Sequence, residues 1–284
     1  MNHADCTIRA IPDLYGIGFR VGTYCQWVAT LLAGAALPDE IGTMHANTIC
    51  FQCAVLAALV LMTCKGAVQQ PEVLVVILLA FGGFLAAQTF ECGLAGRPAK
   101  GTSAVRSFVV LQVFGGLIGY CLWFWWRGVG SLLQPAPASC VYYTFAFHRC
   151  SVASLRVFGI VMSIVGGVLF VVAEALALTL PVLRSLRGGH KVALQHVISS
   201  SSPWLGHSWM PRSRIWLQMA LSVASISYLV VMVEMTLWWN PIVGANRMDS
   251  VGQLLPLVIG ATGLLRVLYI LLREGVLVPV TSHC

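Results

Sequence analysis

The chain has 284 residues, of which 58% are hydrophobic and only 10% are charged, and its net charge at neutral pH is +7. Soluble globular domains carry about 25% charged residues, so this composition excludes an ordinary water-soluble domain and indicates a protein embedded in lipid. Basic residues between apolar segments orient such a protein on its bilayer. The lipid bilayer is therefore the expected partner and nucleic acid is not. No motif predicts a cofactor or a metal site.

Seven apolar segments are long enough to cross a bilayer as helices, because a crossing needs about 20 mostly apolar residues. The sequence therefore predicts an all-α membrane protein, a single polytopic bundle over residues 1–284. Residues 181–214 are rich in Ser, Gly, Pro and basic side chains, which predicts a flexible basic loop. The predicted spans are 16–37, 46–64, 73–94, 107–126, 157–180, 215–239 and 251–272, the last interrupted by Pro256 and Arg266.

The charges of the connections predict an orientation. Six Lys and Arg residues lie on the side of the amino terminus and nine on the opposite side, outside the predicted spans. Connections richer in Lys and Arg stay in the cytosol, so we expect an amino terminus outside or in a lumen and a cytosolic carboxyl tail. The expected location is the endoplasmic reticulum, another endomembrane or the plasma membrane.

Aromatic residues mark the face that carries the amino terminus. Trp123, Trp125 and Trp126 end the fourth span, while Trp238 and Trp239 end the sixth. With seven spans these ends share one membrane face, as an interfacial aromatic belt does.

Two cysteines of the connection between spans four and five lie on that same face. Cys140 and Cys150 are the first and last residues of the stretch CVYYTFAFHRC. If this face is luminal, its compartment permits disulfides, and we expect these two residues as a candidate pair.

Five charged residues fall inside the predicted spans, although a charge at mid-bilayer costs about 2.5–3.5 kcal/mol. Alternating span directions place Arg20 and Glu234 near the amino-terminal face, where we expect them to interact. Glu91, Glu174 and Arg266 lie toward the opposite face, where we expect them to line one polar cavity.

Two interpretations of these charges stay open. They are structural pairs that fix helix register, or they form a site for a substrate, an ion or a proton. In the second case Glu174 is the first candidate for a general acid and Glu91 the second, because two carboxylates beside one arginine cannot both remain ionised cheaply.

The first span carries two different faces. Arg20, Tyr24 and Trp27 recur at helical spacing and share one face. Gly18 and Gly22 form a small-xxx-small pair on roughly the opposite face, which predicts close contact with another helix.

Several motifs follow one another in the order of a known family. The opening DLYG at residues 13–16 is followed by Arg20, Tyr24 and the pair QW at residues 26–27. Further along are HANTICF, VEMTLWWNPI and GQLLPLVIG. Together they resemble a family of multi-pass membrane proteins of filamentous fungi, over nearly the whole chain.

This resemblance implies a seven-span architecture and a fungal source, without a defined activity. It adds Asn47 and Asn240 to the polar residues with a binding or structural role. Pro241 stands where family members often carry histidine, so no catalytic histidine is expected there.

Two functions are compatible with these features. The first is a non-enzymatic or auxiliary membrane protein with a transport, receptor-like or assembly role, tied to specialised metabolism and to a small lipophilic metabolite. The alternative is an intramembrane enzyme that acts on such a metabolite, by an acid-catalysed reaction like that of membrane terpene cyclases, with a buried glutamate as the acid.

Overall fold

The computed structural model describes residues 6–37, 40–88, 104–132, 140–145, 147–187, 212–248 and 250–273. In these ranges the chain is mostly helical, with four strands of two residues each. A π-helical segment, Phe124–Leu132, continues α5. The helices are α1 Pro12–Tyr15, α2 Ile17–Ala36, α3 Ile41–Cys64, α4 Gln70–Gln88, α5 Ala104–Trp123, α6 Arg156–Arg187, α7 Arg212–Trp239 and α8 Val251–Arg273. The strands are β1 Ile8–Arg9, β2 Tyr143–Thr144, β3 Cys150–Ser151 and β4 Ile242–Val243.

Each predicted span corresponds to one long helix, so the all-α prediction is confirmed. The boundaries differ most at α6, which continues past Pro181 to Arg187, into the segment predicted as a loop. A proline removes one helical hydrogen bond and bends a helix, but it does not always end it. Residues 188–211 of the predicted loop lie outside the described residues, and its last three residues, 212–214, begin α7.

Five of the described helices are long and apolar enough to cross a membrane. Their length and composition suggest a membrane location. The five stretches are Gly42–Cys64, Phe108–Gly130, Arg156–Leu176, Met219–Trp239 and Val251–Arg273. The apolar stretch of α4, Gln70–Ala86, is shorter, and α2 is not among the five.

The two remaining long helices, α2 and α4, are the most buried parts of the bundle. Residues 73–77 of α4 are buried without interruption. Helix α2 buries Thr23, Gln26 and Thr30 together with Arg20. A helix surrounded by other helices does not need an apolar surface toward lipid, which explains why α2 carries so many polar residues.

Helices α2 and α8 approach each other at glycines. A Cβ at Gly22 would overlap the carbonyl group of Pro256, and a Cβ at Gly260 would overlap the carbonyl group of Gly22. Gly18 lies against the backbone of Gln253. The predicted close contact through Gly18 and Gly22 is therefore found, and α8 runs without a break through Pro256.

One end of the bundle carries a compact cap, which we define as residues 6–15, 65–69, 140–145, 147–155 and 240–248. Strand β1 pairs with β4 in parallel, and β2 pairs with β3 in an antiparallel ladder. A disulfide joins Cys6 to Cys140, with a Cα–Cα distance of 5.7 Å. The cap thus ties the amino-terminal segment to two later connections.

The predicted disulfide between Cys140 and Cys150 is wrong. Cys140 is bonded to Cys6, and Cys150 is a free thiol. The register of the ladder gives the reason, because Cys150 faces Thr144. Cys140 lies four residues before Thr144, roughly 13 Å from it at about 3.3 Å per residue of extended chain, and a disulfide spans at most about 7 Å between Cα atoms.

Local sequence signals shape the cap connection between α3 and α4. Gly66 adopts a positive φ of 63°, and the N–H groups of Gly66 and Ala67 bond to the carbonyls of Thr63 and Met62. This is the Schellman arrangement, which favours glycine because an L side chain is strained there.

Two predicted belt tryptophans are exposed at the cap end of the bundle. Trp126 is exposed in the π-helical segment that continues α5, and Trp238 is exposed where α7 ends. Tryptophan at this depth suits the boundary between hydrocarbon and water.

Candidate functional site

Arg20 lies in the first turn of α2 and is only 2% exposed. Its Nη1 donates to Oε2 of Glu234 at 2.5 Å. Its Nη2 donates to Oδ1 of Asn246 at 2.6 Å and to the carbonyl oxygen of Ala245 at 3.4 Å. The predicted interaction of Arg20 with Glu234 is found, and the same guanidinium also holds the connection between α7 and α8.

Glu234 differs from Arg20 because its side chain is 46% exposed. The hydroxyl of Tyr24 donates to its Oε1 at 2.9 Å. A carboxylate has about four acceptor positions, so two protein donors leave room for another. Tyr24 and Arg20 reach Glu234 from the shared face of α2 that the sequence predicts.

An open cleft of about 410 Å³ lies beside this carboxylate. Its wall combines the charge of Glu234 with amide and apolar side chains from the end of α7 and from the cap. The main contributors are Glu234, Trp238, Asn240, Pro241, Val243 and Asn246.

Asn240 positions one wall of the cleft. Its Nδ2 donates to the carbonyl oxygens of Tyr143 at 2.7 Å and Thr236 at 2.6 Å, and its Oδ1 accepts from the N–H of Tyr143 at 3.0 Å. Thr144 and Thr236 share a hydroxyl contact of 2.9 Å. These bonds fix the end of α7 to β2, so the described contacts of Asn240 are structural.

A second carboxylate, Glu72, lies in the first turn of α4 and is buried against the cap. The sequence patterns did not predict its role. Its Oε1 accepts from the hydroxyl of Tyr15 at 2.5 Å, and its Oε2 accepts from the N–H of Gln69 at 2.7 Å. The hydroxyl of Tyr142 in turn donates to Oε1 of Gln69 at 2.7 Å. This network therefore joins α1, the start of α4 and the segment just before β2 through Glu72 and Gln69.

The spacing of Gln69 and Glu72 is the signal that could have found this network. A glutamate three residues after the N-cap, before an apolar run, reaches back to the N-cap N–H in a capping box. Glu72 lies just before the predicted span 73–94, and burial raises the pKa of its carboxyl. Burial also raises the pKa of Tyr15 and Tyr142.

The predicted polar cavity of Glu91, Glu174 and Arg266 is not seen in the described residues. Arg266 Nη2 donates to Oε2 of Glu40 at 2.8 Å, and the Gln112 amide donates to Glu174. The side chain of Arg266 extends toward the end of the bundle opposite the cap, because Glu40, which lies there just before α3, is its hydrogen-bond acceptor. Glu91 lies outside the described residues.

The other family-motif residues separate into two groups. Gln253 of α8 is buried and links this helix to α2 and to the α7–α8 connection, accepting from the N–H of Gly18 at 3.2 Å and donating to the carbonyl oxygen of Arg247 at 3.0 Å. Asn47 is exposed near the start of α3, at the end of the bundle opposite the cap. It does not join the Arg20 cluster.

Comparison with protein-family models, with curated proteins and with solved structures finds no match to this chain. Among the described residues, no group of three or more His, Cys, Asp or Glu side chains is placed to hold a metal ion. The resemblance to the fungal family therefore stays a prediction from the motifs.

Proposed function

We propose that the chain is a seven-span, receptor-like membrane protein without enzymatic activity, which binds a small lipophilic metabolite at Glu234. The number of spans is supported by the alternation of α2 to α8, because each of these helices has one end at the cap. It is also supported by burial, since α2 and α4 lie inside the bundle and need less apolar surface than the five outer helices.

The cap faces a lumen or the outside of the cell. Disulfides persist in oxidising compartments and are rare in the cytosol, and the Cys6–Cys140 bond lies in the cap. The count of Lys and Arg favours the same orientation by an independent route. The membrane is an endomembrane or the plasma membrane, and the family motifs support a fungal source and a link to specialised metabolism.

The observation that carries the binding role is the half-exposed carboxylate of Glu234 at the cleft. Arg20 and Tyr24 hold the carboxylate in place and leave it acceptor capacity, while Trp238 offers an exposed apolar surface. Because the carboxylate of Glu234 can only accept hydrogen bonds, the site favours a hydroxyl or amine donor on an apolar body. A ligand that carries a carboxylate is disfavoured by repulsion from Glu234.

Reporter tags at residues 1 and 284 test the topology. In sealed microsomes we expect the first tag to be protected and the second to be accessible. Equal accessibility of the two tags would mean an even number of spans and would remove the seven-span assignment.

Binding is tested on the purified protein in lipid nanodiscs with farnesol, farnesylamine and farnesoic acid, which share one apolar chain. We expect the alcohol or the amine to bind more tightly than the acid. Trp238→Ala should weaken binding at least several-fold, whereas Trp126→Ala, an exposed tryptophan outside the cleft, should not. Equal binding of all three probes, or equal loss in both variants, contradicts the proposed site.

A further inference from the structure

Two side chains inside the bundle have polar atoms without a partner among the described residues. Trp27 of α2 is 1% exposed and its Nε1 donates to no described group, and Gln52 of α3 is 2% exposed and its Oε1 accepts from none. Nearly all buried polar groups in proteins are paired, either with protein or with ordered water. These two atoms therefore need an explanation.

Consecutive glycines of α4 bring the two side chains to neighbouring positions. A Cβ at Gly82 would overlap the indole ring of Trp27, and a Cβ at Gly83 would overlap the side-chain amide of Gln52. Consecutive Cα atoms lie about 3.8 Å apart. The indole and the amide therefore pack against adjacent residues of α4, and each uses the space that a side chain would otherwise fill.

We propose that a water molecule binds between α2, α3 and α4, where it accepts from Nε1–H of Trp27 and donates to Oε1 of Gln52. The needs of the two atoms are complementary, because one lacks an acceptor and the other lacks a donor. A single water supplies both, and buried waters typically satisfy such groups. Indole and amide are both neutral, so the site selects a small neutral molecule over an ion.

This water site is separate from the cleft at Glu234. Trp27 lies two helical turns beyond Arg20 on α2, and the ring of Tyr24 packs on it with centroids 5.3 Å apart. The site needs no ligand in the cleft, so it stands whether or not Glu234 binds a metabolite.

A double-mutant cycle on the full chain in detergent tests the shared water. Trp27→Phe removes the donor and Gln52→Met removes the acceptor, and each should lower the thermal unfolding midpoint. The double variant should lose no more than the worse single variant, because the bridging water is lost only once. Additive losses, or a single variant as stable as the parent, would overturn the proposal.

Trp27→Phe also changes the packing around residue 27, so a second measurement detects the water directly. In protein labelled with [¹⁵N]tryptophan, the indole N–H signal missing from Trp27→Phe should show a cross-peak to water. Gln52→Met should shift that signal and leave the indole signal of Trp238 in place. An indole proton of Trp27 with no water cross-peak, unmoved by Gln52→Met, shows that no water bridges the pair.

Discussion

Arg20 and Arg266 are both arginines within predicted membrane spans, and each pairs with one glutamate, but their surroundings differ. Arg20 is 2% exposed and binds Glu234, Asn246 and the backbone of Ala245. Arg266 is 54% exposed, and its described ion pair is with Glu40. One arginine is part of the interior, and the other lies on the surface near the opposite end of the bundle.

The difference teaches that depth of burial, and not the presence of a salt bridge, decides what a charge contributes. A buried ion that loses its partner is left uncompensated, which is strongly destabilising. A pair that water reaches is screened and contributes little. The four predictions below test this contrast between the cap end and the opposite end, from the largest expected effect to the smallest.

The largest effect is expected when Glu234 is removed, because the buried member of its pair stays behind. Glu234→Ala leaves the guanidinium of Arg20 without its counter-charge, and we expect a loss of about 3–5 kcal/mol in the free energy of unfolding. The measurement is chemical denaturation in detergent.

Arg20→Met in the Glu234→Ala background provides the matched control. Replacing the buried charge by a side chain of similar length should recover a large part of the loss. A double variant that loses the sum of both single losses would show that the two residues are not coupled.

The second largest effect is expected from the disulfide of the cap. Cys6→Ala with Cys140→Ala removes a bond between residues 134 positions apart, and we expect a loss of about 2–4 kcal/mol. Cys150→Ala, the control on a free thiol of the same cap, should be neutral. If Cys150→Ala lowers the free energy of unfolding, and if reductant removes this difference from the parent, then Cys150 forms a disulfide. That result would favour the pairing of Cys150 with Cys140, which the structure contradicts.

Much of the architecture could be predicted from the sequence because it depends on local patterns. Helix lengths follow from apolar segments, and the contact of Gly22 with α8 follows from spacing along one helix. The Arg20–Glu234 pair followed from span direction alone, since depth in a membrane is set by position along each helix.

The disulfide, Glu72 and Arg266 could not be predicted in this way. Cys140 meets Cys6 in the cap, where each of the two strand pairs has two residues per strand, far below the length at which a strand pattern is visible. Glu72 meets Tyr15 only because α1 folds back over the start of α4. Arg266 meets Glu40 because its long side chain reaches toward the end of the bundle, a direction that depth along the helix does not specify.

The third effect concerns Glu72, where burial raises the pKa. A raised pKa means that the folded state binds the proton more tightly, so this contribution to stability is present below the ordinary glutamate value, about 4.3. It is lost as the pH rises through the raised value of the folded protein. Unfolding at a series of pH values should show this fall.

Glu72→Gln should flatten the pH dependence of the free energy of unfolding, and Glu40→Gln should not. The titratable groups that interact with Glu72 are Tyr15 and Tyr142, and Arg20 interacts in turn with Tyr15. Both tyrosines stay protonated over the range in which Glu72 ionises. If the free energy of unfolding changes with pH by the same slope in the parent and in Glu72→Gln, the pH dependence comes from other groups.

The smallest effect is expected at Arg266, which completes the contrast with Arg20. Arg266→Ala and Glu40→Ala should each change the free energy of unfolding by about 0–1 kcal/mol, because the long side chain of Arg266 is 54% exposed and reaches Glu40 near the end of the bundle, where water screens the pair. The same denaturation assay measures it. Glu174 provides the control, since it lies with Gln112 and not with Arg266. Combining Arg266→Ala with Glu174→Gln should therefore give additive changes, whereas Arg266→Ala with Glu40→Ala should show weak coupling. Strong coupling between Arg266 and Glu174 would bring back the predicted polar cavity, and with it the role of Glu174 as an acid.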